Sequence, residues 1–383
     1  MASADQSGGG AGLGTRPDFG TPHLDALRIL ASAGIVILHY SNYVENLPVG
    51  RFVFQHTLHF NLFVDLFFAI SGFVIAKQYL GRVSDRHAIG RFIWRRLARI
   101  YPLHLVTLAF YVAIAVLLYS GHAHVENPDR YPLSDVPAQA LLLHAIDGQR
   151  LTFNFPSWSL SAEMTCYLLF PLIAFAGLRS PRFVVFLALT VAVGLTVYCA
   201  VSGTQLWPNW INQGGALRAV PAFLLGVALQ LFRDRLTRPR IGVILLPALA
   251  AYVLLGWALP VLVALALVYL IVVAAVHCDE TKTQTILSRS GAGRWAHLTY
   301  SSYMLHMPVA TIVVTAMGRA LIPHWPVGQF VLLVIAVLVL AFLSAASYHL
   351  FENPVRRRMQ TAWDRWSAHS PASVLAPSER GAR

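Results

Sequence analysis

The amino-acid sequence predicts an all-α, polytopic membrane protein of about ten transmembrane helices with both termini in the cytoplasm. Hydrophobic residues fill 56% of its 383 positions and charged residues only 12%, whereas a soluble domain carries roughly 25% charged residues. Apolar windows of about 20 residues, long enough to cross a hydrocarbon core, recur along the whole chain. They lie near 26–44, 58–76, 101–119, 157–177, 183–201, 215–232, 241–258, 261–277, 297–317 and 327–350. The turn residues Gly256 and Pro260 divide one long apolar run into two of these spans.

The placement of positive charge gives the orientation. If the N-terminus is cytoplasmic, the segments on the inside hold 24 of the 29 lysines and arginines, and the segments on the outside hold 5. This is the distribution that the positive-inside rule requires. The net charge of +12 is therefore mostly topological. No basic patch interleaves with aromatic residues on a soluble face, so we expect a lipid bilayer as partner and no nucleic acid.

The transmembrane part is expected to form one domain, residues 23–358. Residues 1–22 are rich in Gly, Ser and Ala without a signal-peptide pattern and predict a disordered cytoplasmic tail. A cytoplasmic C-terminal tail, 359–383, follows, with disorder expected from residue 361. Cys166, Cys199 and Cys278 are isolated and odd in number, which predicts neither disulfides nor a metal site.

Arg28 and His39 are the first indication of a functional site. His39 lies in the uncharged stretch Ile29–Val44, and an ionisable group inside a bilayer is by default a functional-site hypothesis. The eleven-residue separation is three helical turns plus about 20°, so both side chains share a face, about 16 Å apart along the axis.

Topology places His39, Asp65 and Glu163 at one depth. Counted from the outer ends of the first, second and fourth spans, they lie roughly 7–11 Å below the outer surface. A carboxylate beside a histidine fixes its tautomer and stabilises the imidazolium. We therefore predict that the three are catalytic, and either carboxylate fits as the partner of His39. Any one of them alone is equally explained by an interhelical hydrogen bond.

The cytoplasmic side is rich in arginine. Arg95, Arg96 and Arg99 have i, i+3 and i, i+4 spacings, which predict convergence on one anionic group such as a phosphate. Contact with anionic lipid is the alternative explanation. Gly72 shares a face with Asp65 and leaves room for a slender ligand, although its spacing alone favours helix packing.

Several residues toward the outer side suit substrate binding. Trp158 and Ser159 open the fourth span one helical turn before Glu163, and the loop 203–214 combines Trp207 and Trp210 with amide side chains. Such mixtures suit carbohydrate, and interfacial anchoring explains the tryptophans equally well. The long outer segment 120–156 contains an apolar piece, 136–146, that is too short to span the membrane. It predicts a re-entrant or interfacial half-helix that covers the site. His306 falls about nine residues into the ninth span, which predicts a position near the midplane.

Six sequence motifs follow one another along the chain. They are Arg28 with His39; Val64-Asp65-Leu66-Phe67-Phe68 with Ser71-Gly72-Phe73; Arg96 and Arg99 before Tyr101-Pro102; Trp158-Ser159-Leu160-Ser161 with Glu163; Tyr300-Ser301 with Tyr303 and His306; and Phe351-Glu352-Asn353-Pro354. On these residues the chain, from about Leu24 to Arg357, resembles the acyltransferase-3 family of bacterial inner-membrane proteins. That family includes O-antigen and exopolysaccharide O-acetyltransferases and macrolide acyltransferases. Asn353 departs from the lysine that the family often has.

The resemblance implies an O-acyltransferase in the cell inner membrane. It would take an acyl group, usually acetyl, from cytoplasmic acyl-CoA and place it on a hydroxyl of a carbohydrate or lipid-linked glycan near the outer face. By the same resemblance His39 is the catalytic residue, Arg28, Arg96 and Arg99 serve the donor, and Ser71-Gly72 lies along its path. Acetyl-CoA is then a co-substrate, with no permanently bound cofactor.

Two other functions fit parts of the pattern. In a proton-coupled transporter or flippase, the histidine and carboxylates would form a proton relay, but the chain shows no inverted repeat. A non-catalytic scaffold has no use for four ionisable residues together, namely Arg28, His39, Asp65 and Glu163. The sequence leaves open the acceptor, the acyl chain length, the oligomeric state, and direct transfer against a covalent acyl-histidine.

Overall fold

A computed structural model describes residues 20–122, 124–125, 127–148, 150–236, 240–321 and 328–368. This part of the chain is helical and has no strand, and nine of its helical segments are long and apolar enough to cross a membrane. The remaining predicted span, 215–232, the sixth along the chain, is a shorter apolar helix of 17 residues, largely buried in the bundle. The predicted all-α polytopic membrane fold is confirmed. The predicted tail 1–22 lies outside the described residues up to position 19.

Seventeen α-helices follow one another within the described residues. They are α1 Pro22–Ser41, α2 Pro48–Thr57, α3 Phe63–Tyr79, α4 Arg86–Tyr119, α5 Val136–Ala140, α6 His144–Asp147, α7 Trp158–Arg179, α8 Pro181–Ser202, α9 Gly215–Leu231, α10 Arg233–Leu236, α11 Leu245–Leu255, α12 Val261–Glu280, α13 Ile286–Arg289, α14 Thr299–Val309, α15 Met317–Leu321, α16 Gly328–Ala346 and α17 Asn353–Ala368. Two π-helical segments, Ala310–Ala316 and Ser347–Glu352, extend α14 and α16. Helices α11 and α12 are separate, as the turn at 256–260 predicts.

The start of α1, the helix that carries Arg28 and His39, is held by the end of α12. Pro22 occupies the first turn, and the backbone N–H groups of His23 and Leu24 donate to the Asp279 carboxylate at 3.0 and 3.2 Å. The His23 ring lies 2.6 Å from the same carboxylate. These bonds satisfy N–H groups that a helix start leaves without partners, so they fix α1 against α12.

Helix α4 begins fifteen residues before the predicted span at 101–119. The run of arginines that precedes this span therefore lies on the helix. The Asp85 side chain caps it by accepting from the Ala88 N–H at 2.9 Å, and this bond lowers the pKa of the Asp85 carboxyl below its usual value. Pro102 lies inside the helix without ending it.

Helix α17 packs against this inner part of α4. The Arg91 guanidinium pairs with Asp364 at 2.8 Å, and the Trp94 indole N–H donates to the Met359 carbonyl at 2.8 Å. The prediction of disorder from residue 361 is therefore wrong for 361–368. The helix continues to Ala368 because α4 supplies a packing surface for it.

Helices α3 and α9 approach each other closely in the bundle interior. A Cβ on Gly72 would lie 2.1 Å from the Phe223 carbonyl oxygen, and a Cβ on Gly226 would lie 2.0 Å from the Ala69 carbonyl oxygen. Reciprocal glycines of this kind let two helices approach closely. Gly72 therefore serves the packing of α3 against α9, the other explanation that its spacing allowed, rather than lying along the donor path as predicted.

Candidate active site

A cavity of about 110 Å³ opens between α1, α3, α4, α7 and α14. Its lining combines guanidinium, hydroxyl and carboxylate groups with apolar and aromatic side chains. It brings together six of the predicted site residues, namely Arg28, Ser71, Arg96, Arg99, Ser159 and Glu163. Arg95 lies instead in a separate cleft with Arg91, so the predicted convergence of Arg95 with Arg99 on one group is wrong.

The carboxylate of Glu163 is held inside this cavity by hydroxyl groups. Ser71 Oγ donates to Glu163 Oε1 at 2.6 Å, and the Tyr167 hydroxyl donates to the same oxygen. The Arg96 guanidinium lies over the rings of Tyr79 and Tyr167, at 5.4 and 5.9 Å from their centroids. Tyr167 follows Glu163 by four residues, a helical spacing that could have identified it from the sequence.

Arg28 has a local partner that the sequence analysis missed. Its guanidinium pairs at 2.8 Å with Asp25, three residues earlier on α1. Both side chains keep some exposure, 21% for Arg28 and 32% for Asp25. The pair holds the guanidinium at the cavity wall, on the same helix as His39.

Asp65 pairs with Arg218 rather than with His39. Arg218 on α9 reaches the Asp65 carboxylate at 2.7 Å, and both side chains are 0% exposed. Arg218 also donates to the carbonyls of Asn61 and Trp210, at 3.2 and 2.9 Å, and its guanidinium lies 5.1 Å from the centre of the Trp158 ring. The predicted catalytic role of Asp65 is therefore replaced by a structural one, which joins α3, α9 and the loop before α9.

Arg218 is the residue from which the sequence could have predicted this ion pair. Charge counting places it among the outer cations, but it stands in the apolar window 215–232. A cation inside a span needs a buried partner, and Asp65 supplies it.

His39 is bonded to His306. His39 Nδ1 lies 2.8 Å from His306 Nε2, and the two rings are parallel to within 6°. His306 Nδ1 in turn lies 2.6 Å from the Tyr303 carbonyl oxygen. His306, predicted as a substrate-binding residue, is thus placed as the residue that orients His39, while Glu163 is held by Ser71 and Tyr167.

The bonding assigns the proton positions in this pair. A carbonyl oxygen only accepts, so His306 Nδ1 carries a hydrogen and the Nε2 of a neutral His306 accepts. His39 Nδ1 must then donate to it, which leaves the Nε2 of a neutral His39 unprotonated. A histidine fixed in this tautomer has a basic nitrogen available for a substrate proton.

The surroundings of the pair come from α14 and the loop before α7. Pro308 has no N–H for the Met304 carbonyl, and the Asn154 amide donates to that carbonyl at 3.0 Å instead. Asn154 thereby fixes the loop in which Phe155 packs edge-on against the His39 ring, at a centroid distance of 5.0 Å. The Tyr40 hydroxyl donates to the His306 carbonyl at 2.9 Å.

Tyr303 and Ser159 lie between the cavity and the histidine pair. Both line the cavity, and the Tyr303 ring is 5.9 Å from the His306 ring. The Ser159 hydroxyl donates to the Tyr303 hydroxyl at 2.9 Å, which donates to the Pro156 carbonyl at 3.0 Å. This bonded pair bounds the cavity on the side of His39.

The predicted carbohydrate-binding tryptophans have different surroundings. Trp207 is 2% exposed and donates to Thr196 Oγ1 at 3.0 Å, so it anchors the loop and has no accessible face. Trp158 is also buried, against Arg218 and Phe68. Only Trp210 lines an open outer cleft, of about 850 Å³, together with Tyr198.

The predicted half-helix at 136–146 is two short helices, α5 and α6, rather than one. A break at Leu142, whose φ is +55°, separates them. The Gln139 carbonyl accepts from His104 Nε2 at 2.9 Å, and His144 Nε2 lies 3.2 Å from the Ser157 hydroxyl. These bonds hold the segment down onto α4 and the start of α7.

Comparison with known proteins decides the family. A family model described as an acyltransferase domain, of the acyltransferase-3 type, matches residues 22–346. The chain belongs to the acyltransferase-3 family. The resemblance seen in the motifs is confirmed, and the nine long apolar helical segments among the described residues agree with a multi-pass membrane protein.

Two curated relatives match parts of the chain. The acyltransferase MdmB of Streptomyces mycarofaciens is 32% identical over 160 residues, which cover 39% of this chain and 38% of the relative. Protein 2 in the picA locus of Rhizobium radiobacter is 36% identical over 157 residues, which cover 37% of this chain and 75% of the relative. The match to MdmB thus spans about two fifths of that protein. No solved structure matches the chain.

Proposed function

We propose that this acyltransferase moves an acyl group, usually acetyl, from cytoplasmic acyl-CoA to a hydroxyl of a carbohydrate or lipid-linked glycan, with His39 as the base. The observation that carries the proposal is the chain of bonds from the Tyr303 carbonyl through His306 to His39. It fixes an unprotonated Nε2 at His39, at the side of the bundle where an outer acceptor arrives. The chain would perform this reaction in the bacterial inner membrane, where its positive-inside charge pattern directs the arginines to the cytoplasm.

The donor fits the inner cavity by its chemistry. Coenzyme A carries phosphates at one end and a long, slender arm that ends in the thioester. Arg28, Arg96 and Arg99 supply planar guanidinium groups, which suit phosphate oxygens. The arm would run from these arginines past Ser71 and Glu163 toward Tyr303. For the thioester to reach His39, the bonded hydroxyls of Ser159 and Tyr303 must separate.

Transfer then needs one proton shuttle. His39 Nε2 takes the hydroxyl proton of the acceptor as its oxygen attacks the thioester carbonyl. The resulting imidazolium stays bonded through Nδ1–H to His306 Nε2. When the tetrahedral intermediate collapses, the carbon–sulfur bond breaks, and the CoA thiolate leaves with the proton from His39. The same free Nε2 also serves a two-step route in which His39 itself is acylated first.

Purified protein in detergent, supplied with acetyl-CoA and a glycan acceptor, tests this function. We expect release of free CoA thiol together with acetylated acceptor. A transporter would produce neither, so intact, folded protein that leaves acetyl-CoA unchanged with every glycan acceptor would contradict the proposal. Mass spectrometry of envelope glycans from a strain lacking the chain identifies the acceptor through the loss of an acetyl mass.

A further inference from the structure

A second basic cleft, of about 450 Å³, lies between the end of α3 and the start of α4 on the cytoplasmic side. Its lining consists of Lys77, Gln78, Tyr79, Arg82, His87, Ala88, Arg91, Phe92 and Arg95. Among these described residues there are four permanent cations and no acidic side chain. The volume falls within the range of small-molecule sites.

The cleft and the inner cavity lie next to each other, on opposite sides of the consecutive residues Arg95 and Arg96. Arg95 faces the cleft and Arg96 the cavity. The Arg96 guanidinium lies 5.4 Å from the centre of the Tyr79 ring, and Tyr79 lines the cleft. A single bent ligand with two separate phosphate groups can therefore place one in each.

The charge of the cleft exceeds what its ion pairs neutralise. Lys77 pairs with Glu280 at 3.4 Å and Arg91 with Asp364 at 2.8 Å. Four cations thus face two carboxylates, and the excess of two positive charges matches a phosphomonoester, which carries about −1.5 to −2 at pH 7. Tyr79, whose side chain is half-buried, adds an aromatic surface of the kind on which a nucleobase rests.

We propose that this cleft binds the phosphomonoester-bearing nucleotide end of the donor, while Arg28, Arg96 and Arg99 hold its pyrophosphate. The inference rests on the proposed function, because coenzyme A has a 3′-phosphate on its ribose, separate from the 5′-pyrophosphate. Arg82 and Arg95 contact the 3′-phosphate, and the adenine lies against the Tyr79 ring. The cleft thus sets donor affinity and leaves the chemistry at His39 unchanged.

Kinetics with two donors that differ only in this phosphate test the proposal. Arg82→Gln and Arg95→Gln are each expected to raise the KM for acetyl-CoA about tenfold with kcat unchanged, and to leave the KM for acetyl-dephospho-CoA unchanged. Arg86→Gln is the matched control, because Arg86 is an exposed arginine at the start of α4 outside the cleft lining. It should change neither KM. Equal effects of the cleft variants on both donors, or a wild-type protein indifferent to the 3′-phosphate, would overturn the assignment.

A binding measurement separates this inference from the proposed function and from a lipid site. Adenosine 3′,5′-bisphosphate should bind the full chain in phosphatidylcholine nanodiscs and bind the Arg82→Gln and Arg95→Gln variants about tenfold more weakly. Binding with this pattern but without acyl transfer would contradict the proposed function and retain the nucleotide site. Turnover of acetyl-CoA without bisphosphate binding would contradict the nucleotide site and retain the proposed function. Loss of bisphosphate binding when phosphatidylglycerol replaces phosphatidylcholine would identify the cleft as an anionic-lipid site and overturn the proposal.

Discussion

Replacing His39 by alanine is expected to lower acyl transfer by about three orders of magnitude, within the range of about 10²–10⁴ that a positioned general base contributes. The free Nε2 of His39 is the group that the bonded histidine pair leaves ready to accept a proton. Removing the ring leaves the acceptor hydroxyl without a base. Transfer per molecule of folded protein is the quantity to measure, with expression verified for each variant.

His306 variants separate the base from its orienting partner. His306→Gln keeps an acceptor for the His39 Nδ1–H and should retain more activity than His306→Ala, which leaves that N–H without its partner. His122→Ala is the matched control, because His122 is an exposed histidine of the outer segment. Unchanged transfer by His39→Ala at normal protein levels would show that His39 is not the base.

Removing one member of the Asp65–Arg218 pair is expected to cause the largest loss of stability. Arg218→Met leaves a buried carboxylate without its counter-charge, which costs about 3–5 kcal/mol. The carbonyls of Asn61 and Trp210 lose their donor as well. We expect a sharp fall in folded yield and in the thermal unfolding midpoint of the protein in detergent.

The double variant Asp65→Leu/Arg218→Met tests the physical reason. Replacing a buried ion pair by apolar residues of similar volume is often close to neutral, so the double variant should recover much of the lost stability. Additive losses from the two single changes would contradict the ion-pair explanation. Acyl transfer by the folded double variant would also show that Asp65 does not orient His39.

The sequence predicts the fold well because the bilayer constrains each span by itself. Span length, hydropathy and the arginine distribution are local quantities, and together they predict helix positions and orientation. The line from Arg28 to His39 is likewise local to one helix, and α1 spans Pro22–Ser41 as one continuous helix that carries both residues.

The partner of His39 was not predictable from depth alone. The span boundaries predict similar depths for His39, Asp65 and Glu163, but depth leaves the rotation of each helix about its axis undetermined. Packing against α9 turns Asp65 toward Arg218, and hydroxyl groups hold Glu163. The sequence predicts a position near the midplane for His306 because it predicts that the ninth span begins at residue 297. The helical segment begins at Ala292 with a 3-10 helix that runs to Leu298. His306 therefore lies fourteen residues along the segment, farther toward the outer side than predicted, which agrees with its contact to His39.

The sidedness of the donor tests the central claim most directly. Sealed inside-out membrane vesicles that contain the protein expose its arginine-rich face, and a glycan acceptor can be enclosed in their lumen. With radiolabelled acetyl-CoA added outside, we predict acetylation of the enclosed acceptor by the wild-type protein and none by His39→Ala. Right-side-out vesicles given the same external donor should show no transfer. Transfer confined to the right-side-out vesicles, or no transfer by intact protein in inside-out vesicles, would contradict the account.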